Sequence, residues 1–164
     1  MIYFTYDSPF GNIMIMSDGK AITGIKTESS EVLTGEKRAS ALTDLAAQQL
    51  NEYFAGKRRE FDLPLSPKGT DFQQSVWNAL LKIPYGETQT YSQVAKMIDN
   101  PKACRAVGLA NNKNPIWIII PCHRVIGANG TLTGYGGGLD MKEKLLEIEG
   151  MINYVENRVP SFGV

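Results

Sequence analysis

The chemistry-bearing residues of this chain stand together at Cys122-His123-Arg124, directly after Pro121 and a run of Ile116, Trp117, Ile118, Ile119 and Ile120. His123 is the chain's single histidine. A thiol beside an imidazole and a guanidinium is placed for thiolate formation, and the thiolate is the nucleophilic form. A cysteine after an isoleucine run can also be a small buried hydrophobe. Its charged and titratable neighbours argue for the nucleophile.

What must position these groups is a hydrophobic rod and the helices around it. The β-branched and aromatic residues 116 to 120 predict a buried strand or extended segment that Pro121 stops. Before it, Phe72, Val76, Ala79, Leu80 and Ile83 recur at helical spacing. Thr90 and Gln93 form a capping-box pattern ahead of a short helix with Tyr91, Val94, Ala95 and Ile98 inward. Asn100 and Pro101 predict the cap and first residue of another helix, with Ala103, Ala106, Val107 and Ala110 inward. Two short helices with a tight turn between them predict a helix-turn-helix. After the nucleophile, Gly127 to Gly138 holds six glycines around Tyr135, a loop expected to bring backbone amides close to a ligand rather than to pack a core. Asp140 to Glu143 predicts the cap of a last helix with Leu145, Leu146 and Ile148 inward, ended by Glu149-Gly150.

The first third differs. Ile2 to Tyr6, Asn12 to Met16 and Ala21 to Lys26 predict a β-meander, 28 to 38 a loop, and Ala41 to Phe54 a helix ended by Gly56. Leu63 to Gly69, with two prolines and a glycine, is the linker candidate. The expected domains are therefore 1–62, a linker at 63–69, a second domain at 70–150 and a tail at 151–164.

Bulk properties exclude several classes. At 164 residues, folding buries about 70% of the surface an unfolded chain exposes, so a core is available without staples. Cys104 and Cys122 make no disulfide framework and, with one histidine, no four-ligand zinc site. No metal and no cofactor are expected, and a reducing compartment is. No stretch approaches the roughly 20 apolar residues of a spanning helix, and the start lacks a signal-peptide pattern, so a soluble cytoplasmic protein is expected. The 17 basic and 17 acidic residues cancel. Their distribution is uneven: residues 100 to 139 carry Lys102, Arg105, Lys113 and Arg124 and no carboxylate, which suits an anionic partner.

The segments Ile83-Pro84-Tyr85-Gly86-Glu87-Thr88, Thr90-Tyr91-Ser92-Gln93-Val94-Ala95, Arg105-Ala106-Val107-Gly108, Asn114-Pro115, Pro121 to Val125, Tyr135-Gly136-Gly137-Gly138 and Glu149-Gly150 stand in a known order and spacing. From Phe72 to Gly150 the chain resembles O6-alkylguanine-DNA alkyltransferase, also called methylated-DNA–protein-cysteine methyltransferase. The resemblance implies an α+β protein: an N-terminal ribonuclease H-like α/β domain plus a helical C-terminal domain with a helix-turn-helix DNA-binding motif. It also implies direct, irreversible transfer of one alkyl group from O6-alkylguanine, and by extension O4-alkylthymine, to Cys122, once per protein molecule.

By the same resemblance the catalytic set is Cys122, His123, Glu149, Asn114 and Tyr91, with a water linking the first two. Arg105, Tyr91, Lys102 and Arg124 would contact DNA, with Arg105 filling the place of a base flipped out through the minor groove. Trp117, Val125, Tyr135 and Gly136 would line the base pocket. Trp117 departs from the proline usual at its place, which implies a narrower pocket; some members carry serine where Gly136 stands. The partner implied is double-stranded alkylated DNA, bound by a monomer, with cooperative loading open and no membrane. Three rivals remain: a cysteine hydrolase that turns over, a DNA-binding regulator that senses alkylation, and a lesion sensor without transfer.

Overall fold

The computed structural model describes residues 1–31 and 33–151, so most of the tail expected at 151–164 lies outside the described residues. Two units emerge: Met1–Lys68 with Pro115–Trp117, and Gly69–Asn114 with the chain from Ile118 onward.

The first unit is a four-stranded mixed sheet and one helix. Strands β1 (Ile2–Ser8), β2 (Gly11–Ser17) and β3 (Ile22–Thr27) form the expected meander, with β1 and β2 antiparallel from Ile2 opposite Ser17 to Ser8 opposite Gly11. The expected loop at 28 to 38 contains β4 (Glu36–Lys37), parallel to β1 at the sheet edge. Two residues are too few to show a sequence period, so this strand depends on its partner. Helix α1 (Ala41–Phe54) is capped by Ser40, whose Oγ accepts from the Thr43 amide. Its buried Ala46, Leu50 and Tyr53 join Ile13, Ile15 and Ile25 of the sheet in the core.

Leu63 to Gly69 is not a free linker along its length. The Ile22 amide donates to Pro64 O at 2.8 Å, and the Ser66 amide donates to Ile22 O at 2.8 Å, so this stretch extends β3. Pro115–Trp117 does likewise through Ile25 N–H to Pro115 O, 2.9 Å, and Trp117 N–H to Ile25 O, 3.1 Å.

The second unit holds α2 (Asp71–Leu80), β5 (Gln89–Thr90), α3 (Tyr91–Met97), α4 (Cys104–Asn112), β6 (Val125–Ile126) and α5 (Leu139–Ile148). The Thr90 capping box is present in both directions: the Gln93 amide donates to Thr90 Oγ1 at 3.1 Å, and Thr90 N–H donates to Gln93 Oε1 at 2.8 Å. Helix α4 begins three residues later than Pro101, with Ala103 as its cap residue and no side-chain cap. Asp99 adopts a left-handed φ of 58°, and Pro101 and Lys102 are spent in the turn. Ala106 is consequently exposed, not inward. Helix α5 starts at Leu139 after Gly138, whose φ of 94° suits glycine, so Asp140 lies in the first turn and Gly138 is the cap residue.

The isoleucine run is a turn, not a strand. Ile118 has φ 74°, a region β-branched residues rarely enter, and only Ile116 makes a bridge, to Ile25. Ile116 and Ile118 to Ile120 are buried, so the segment is apolar because it is surrounded, whatever its backbone shape. A short apolar run carries no period to distinguish the two. The glycine-rich loop also packs: Leu132 is fully buried with Ile126, Leu139 and Leu146.

Candidate active site

A parallel two-stranded ladder builds the site. Gln89 pairs with Val125 and Thr90 with Ile126, which brings the start of α3, and so Tyr91, beside the turn that follows the nucleophile. Cys122–Arg124 forms a single 3₁₀ turn after Pro121 and runs into β6. Asn114 sets the approach: its Nδ2 donates to Ile120 O at 2.8 Å across the turn that contains Ile118. From α4, Asn111 Nδ2 donates to Cys122 O at 3.4 Å. Trp77 fixes α2 to α4 through Nε1–H to Ala110 O, 2.9 Å.

The thiol of Cys122 is 4% exposed, and burial pushes its pKa up. Hydrogen bonds from Asn114 and Tyr135 and the charge of Lys142 work in the other direction, towards the thiolate.

Beside it, His123 and Glu149 are both buried, with His123 Nε2 2.6 Å from Glu149 Oε2. Burial would raise the Glu149 carboxyl, but the hydrogen bond from His123 and the hydrogen bonds and charge of Arg124 hold it down at about 2. The acceptor is therefore a carboxylate, so Nε2 carries the proton and donates. Burial pushes the His123 pKa down despite Glu149, which keeps the ring neutral. Its Nδ1 is then a lone-pair acceptor, buried and without a partner among the described residues. A neutral imidazole held by a carboxylate with its other nitrogen free is equipped to take a proton.

Arg124, expected at DNA, has its side chain inside the fold. It is 7% exposed, with Nε donating to Glu149 Oε1 at 2.8 Å, Nη2 to Oε2 at 3.2 Å and Nη1 to Ile83 O at 2.7 Å. Its guanidinium lies over the Tyr85 ring at 5.8 Å. A guanidinium so committed organises Glu149. Gly86 N–H adds a further donor to Glu149 Oε1 at 3.1 Å.

The remaining expected residues divide. Tyr91 is half-buried, its hydroxyl 2.8 Å from Thr133 Oγ1 and its pKa raised by burial. Val125 is buried beside the turn, while Tyr135 reaches the thiol. Gly136 is exposed in the loop, and Lys102 and Arg105 are exposed, before and on α4. Trp117 is half-buried and belongs to the first unit through its bond to Ile25.

Lys142 is the residue that sequence reasoning missed. Its side chain is fully buried, with Nζ donating to Val125 O at 2.6 Å and to Thr133 O at 2.7 Å. Burial lowers its pKa to about 8. The available signal was its place on the inner face of α5, one turn before Leu145 and Leu146. Among the described residues no group of three or more His, Cys, Asp or Glu side chains could hold a metal ion. No described helix is long and apolar enough to cross a membrane.

Comparison with known proteins covers both units. Residues 71–151 match the family model of the 6-O-methylguanine DNA methyltransferase, DNA binding domain, and residues 1–67 that of its ribonuclease-like domain. A methylated-DNA–protein-cysteine methyltransferase of Methanosarcina acetivorans is 53% identical over 154 residues, covering 92% of this chain and 99% of its own. The crystal structure of Mycobacterium tuberculosis OGT in complex with DNA aligns at a TM-score of 0.86 and 51% identity, over 91% of this chain and 92% of that one. An O6-methylguanine DNA methyltransferase from Methanococcus jannaschii aligns at a TM-score of 0.67 and 28% identity, over 88% and 92%. The α+β expectation, a ribonuclease-like domain with a mixed sheet followed by a helical DNA-binding domain, holds.

Proposed function

The chain belongs to the family of methylated-DNA–protein-cysteine methyltransferases, DNA-binding enzymes that repair O6-methylguanine, and we infer that in it Cys122 is the alkyl acceptor. The observation that carries this reading is the pairing of a buried thiol, supported by Asn114, Tyr135 and Lys142, with a neutral His123 whose Nδ1 is unpartnered and whose Nε2–H is held by Glu149.

The chemistry follows from these groups. A water between the thiol and Nδ1 carries the Cys122 proton to His123, and the imidazolium is stabilised by the Glu149 carboxylate. The thiolate attacks the alkyl carbon, an S–C bond forms, and the C–O6 bond breaks with its electron pair going to guanine. Tyr91 hydrogen-bonds the base as that charge develops, and the proton taken up by His123 returns through water to the released guanine, which ends neutral and unmodified. The thioether left on Cys122 has no activated bond for water to cleave, so each protein repairs one lesion.

An alkyl group on O6 lies within the duplex stack, so the base must leave the stack to meet a buried sulfur. We read α3 and α4 as the helix-turn-helix that enters the minor groove, with exposed Arg105 replacing the extruded base and Lys102 at a phosphate. Val125 and Gly136 offer backbone groups to the base edge. One chain suffices for one lesion, and a DNA substrate places the protein in the cytoplasm, at the nucleoid in a prokaryote.

The test is intact-protein mass spectrometry after mixing with a duplex bearing one O6-methylguanine, followed by peptide mapping. One methyl on Cys122, saturating at one per protein, is expected. Tight lesion binding with no mass change would make the protein a sensor and sink the assignment.

A further inference from the structure

Tyr91 is placed from three sides. Its backbone opens α3 beside the β5–β6 ladder, its ring lies along Gly108 of α4, where an added carbon would come within 3.8 Å of Tyr91 Cδ1, and its hydroxyl stands 2.8 Å from Thr133 Oγ1. Neither hydroxyl has another hydrogen-bond partner among the described residues.

Thr133 is fixed in turn. Its carbonyl oxygen accepts from the buried Lys142 Nζ at 2.7 Å. Its methyl rests on Gly127, where an added carbon would lie 3.1 Å from Thr133 Cγ2. A β-branched side chain carries methyl and hydroxyl on one carbon, so holding the methyl and the backbone aims the hydroxyl.

The 2.8 Å distance fits a hydrogen on either oxygen, and the reaction distinguishes the two. A tyrosine hydroxyl carries one hydrogen. Spent on Thr133, it would leave only a lone pair facing a base that is gaining the electron pair of the C–O6 bond. When Thr133 donates instead, the Tyr91 hydrogen stays free for the base, and it is polarised further because a hydroxyl that accepts a hydrogen bond donates more strongly. Burial raises the Tyr91 pKa, and the bond with Thr133 opposes that rise, as a donor to the phenolic oxygen does. We propose that Thr133 Oγ1–H donates to Tyr91 Oη and so aims the Tyr91 hydrogen at the departing base, which makes Thr133 a positioning residue for the transfer. This rests on the proposed function and leaves the S–C bond to Cys122.

The experiment keeps the shape of the side chain and removes its hydrogen. Single-turnover methyl transfer from a duplex bearing one O6-methylguanine is measured over a range of protein concentrations for the unaltered protein, Thr133→Val, Thr133→Ser, Tyr91→Phe and the double variant of Thr133→Val with Tyr91→Phe. Thr133→Val should lower the maximal rate about ten-fold, against about a hundred-fold or more when Tyr91→Phe removes the donor itself. The concentration giving half the maximal rate should not move, because the charge develops only after the lesion is bound. Thr133→Ser keeps the hydroxyl and should stay within about three-fold of the unaltered protein, and adding Thr133→Val to Tyr91→Phe should cost about two-fold or less.

A full rate in Thr133→Val would overturn the proposal. Thr133→Ser as slow as Thr133→Val would make shape the cause, and an equal loss in the Tyr91→Phe background would make Thr133 act without Tyr91; either result overturns it too. A shift in the half-maximal concentration at unchanged maximal rate would assign Thr133 to DNA binding and overturn it as well. Should Thr133→Val fail to fold by circular dichroism, Thr133→Ala takes its place in the same comparisons. No methyl on Cys122 of the unaltered protein would instead sink the proposed function, and this assignment with it.

Discussion

The Nζ of Lys142, its side chain fully buried, stands 2.6 Å from the carbonyl oxygen of Val125, three residues after the nucleophile. Its second bond, to Thr133 O, ties the same ammonium to the residue whose hydroxyl meets Tyr91. One buried cation therefore links the turn carrying Cys122 to the loop carrying Tyr135, and its field favours the thiolate.

Lys142→Met removes a charge that favours the thiolate and should slow single-turnover transfer at neutral pH by about ten-fold, with the deficit shrinking as pH rises. A deficit constant across the pH–rate profile would mean that the lysine acts through structure alone. Stability carries an independent signature. Lys142 titrates at about 8 in the fold against 10.5 for a lysine free in water. Between those values the unfolded chain holds the extra proton, so stability rises with pH, by about 3 kcal/mol in all. Below about 8 the buried charge is a cost. Urea unfolding of the two proteins from pH 7 to 10.5 should show this gain in the unaltered protein and not in Lys142→Met.

Glu149 has the opposite dependence. Held at about 2 against 4.5, it contributes stability that is fully present above about pH 4.5 and is lost as pH falls from there to about 2. The loss is about 3 kcal/mol by the same arithmetic. Glu149→Gln removes the charge that Arg124 and His123 are arranged around and leaves a buried guanidinium unpaired. It should cost about 3–5 kcal/mol at pH 7 and remove that part of the acid-limb slope, as measured by denaturant unfolding between pH 3 and 7.

Asn114→Ala tests the brace. The turn it spans contains Ile118 at φ 74°, a strained conformation that the surroundings must hold. Losing the 2.8 Å bond leaves Ile120 O with the Cys122 amide as its remaining donor, a cost of about 0.5–1.5 kcal/mol. The sulfur loses a donor as well. Thermal unfolding should show the first effect, and transfer should slow by more than that loss of stability explains.

The site was legible where chemistry is written in adjacent residues. Cys122 beside His123 and the cap made by Thr90 with Gln93 depend on residue type and short spacing, whereas Glu149, 26 residues beyond His123, is reached through the resemblance alone. The misreadings share a cause. Arg124 looked like a surface cation because a charge count cannot see Glu149 and Ile83 O closing around it. Lys142 reads only as part of the cap of the last helix, since its partners are backbone carbonyls 9 and 17 residues away. The isoleucine run looked like a strand because burial was visible in it and the positive φ of Ile118 was not. Thr133 attracted no attention, since a threonine in a glycine-rich loop is ordinary until its hydroxyl is found beside that of Tyr91.

Gly69 sets a packing limit that the same sequence reading passed over as a linker residue. A Cβ there would lie 2.4 Å and 2.6 Å from two ring carbons of Trp77 and 2.7 Å from Gln73 Oε1. Neither neighbour can give way without loss. The indole is 1% exposed and its Nε1–H is bonded to Ala110 O, while Gln73 Oε1 accepts the Thr70 amide at 2.9 Å in the cap of α2. Gly69→Ala must therefore tilt the ring, weakening the hold of α2 on the end of α4, or open the cap. We expect a cost of about 1–3 kcal/mol, seen as a drop of several degrees in Tm. Trp77→Phe in the same background should recover part of it, because a smaller ring vacates the space the new methyl needs. Equal melting of Gly69→Ala and the unaltered protein would show that the Gly69–Trp77 contact is looser than its distances imply.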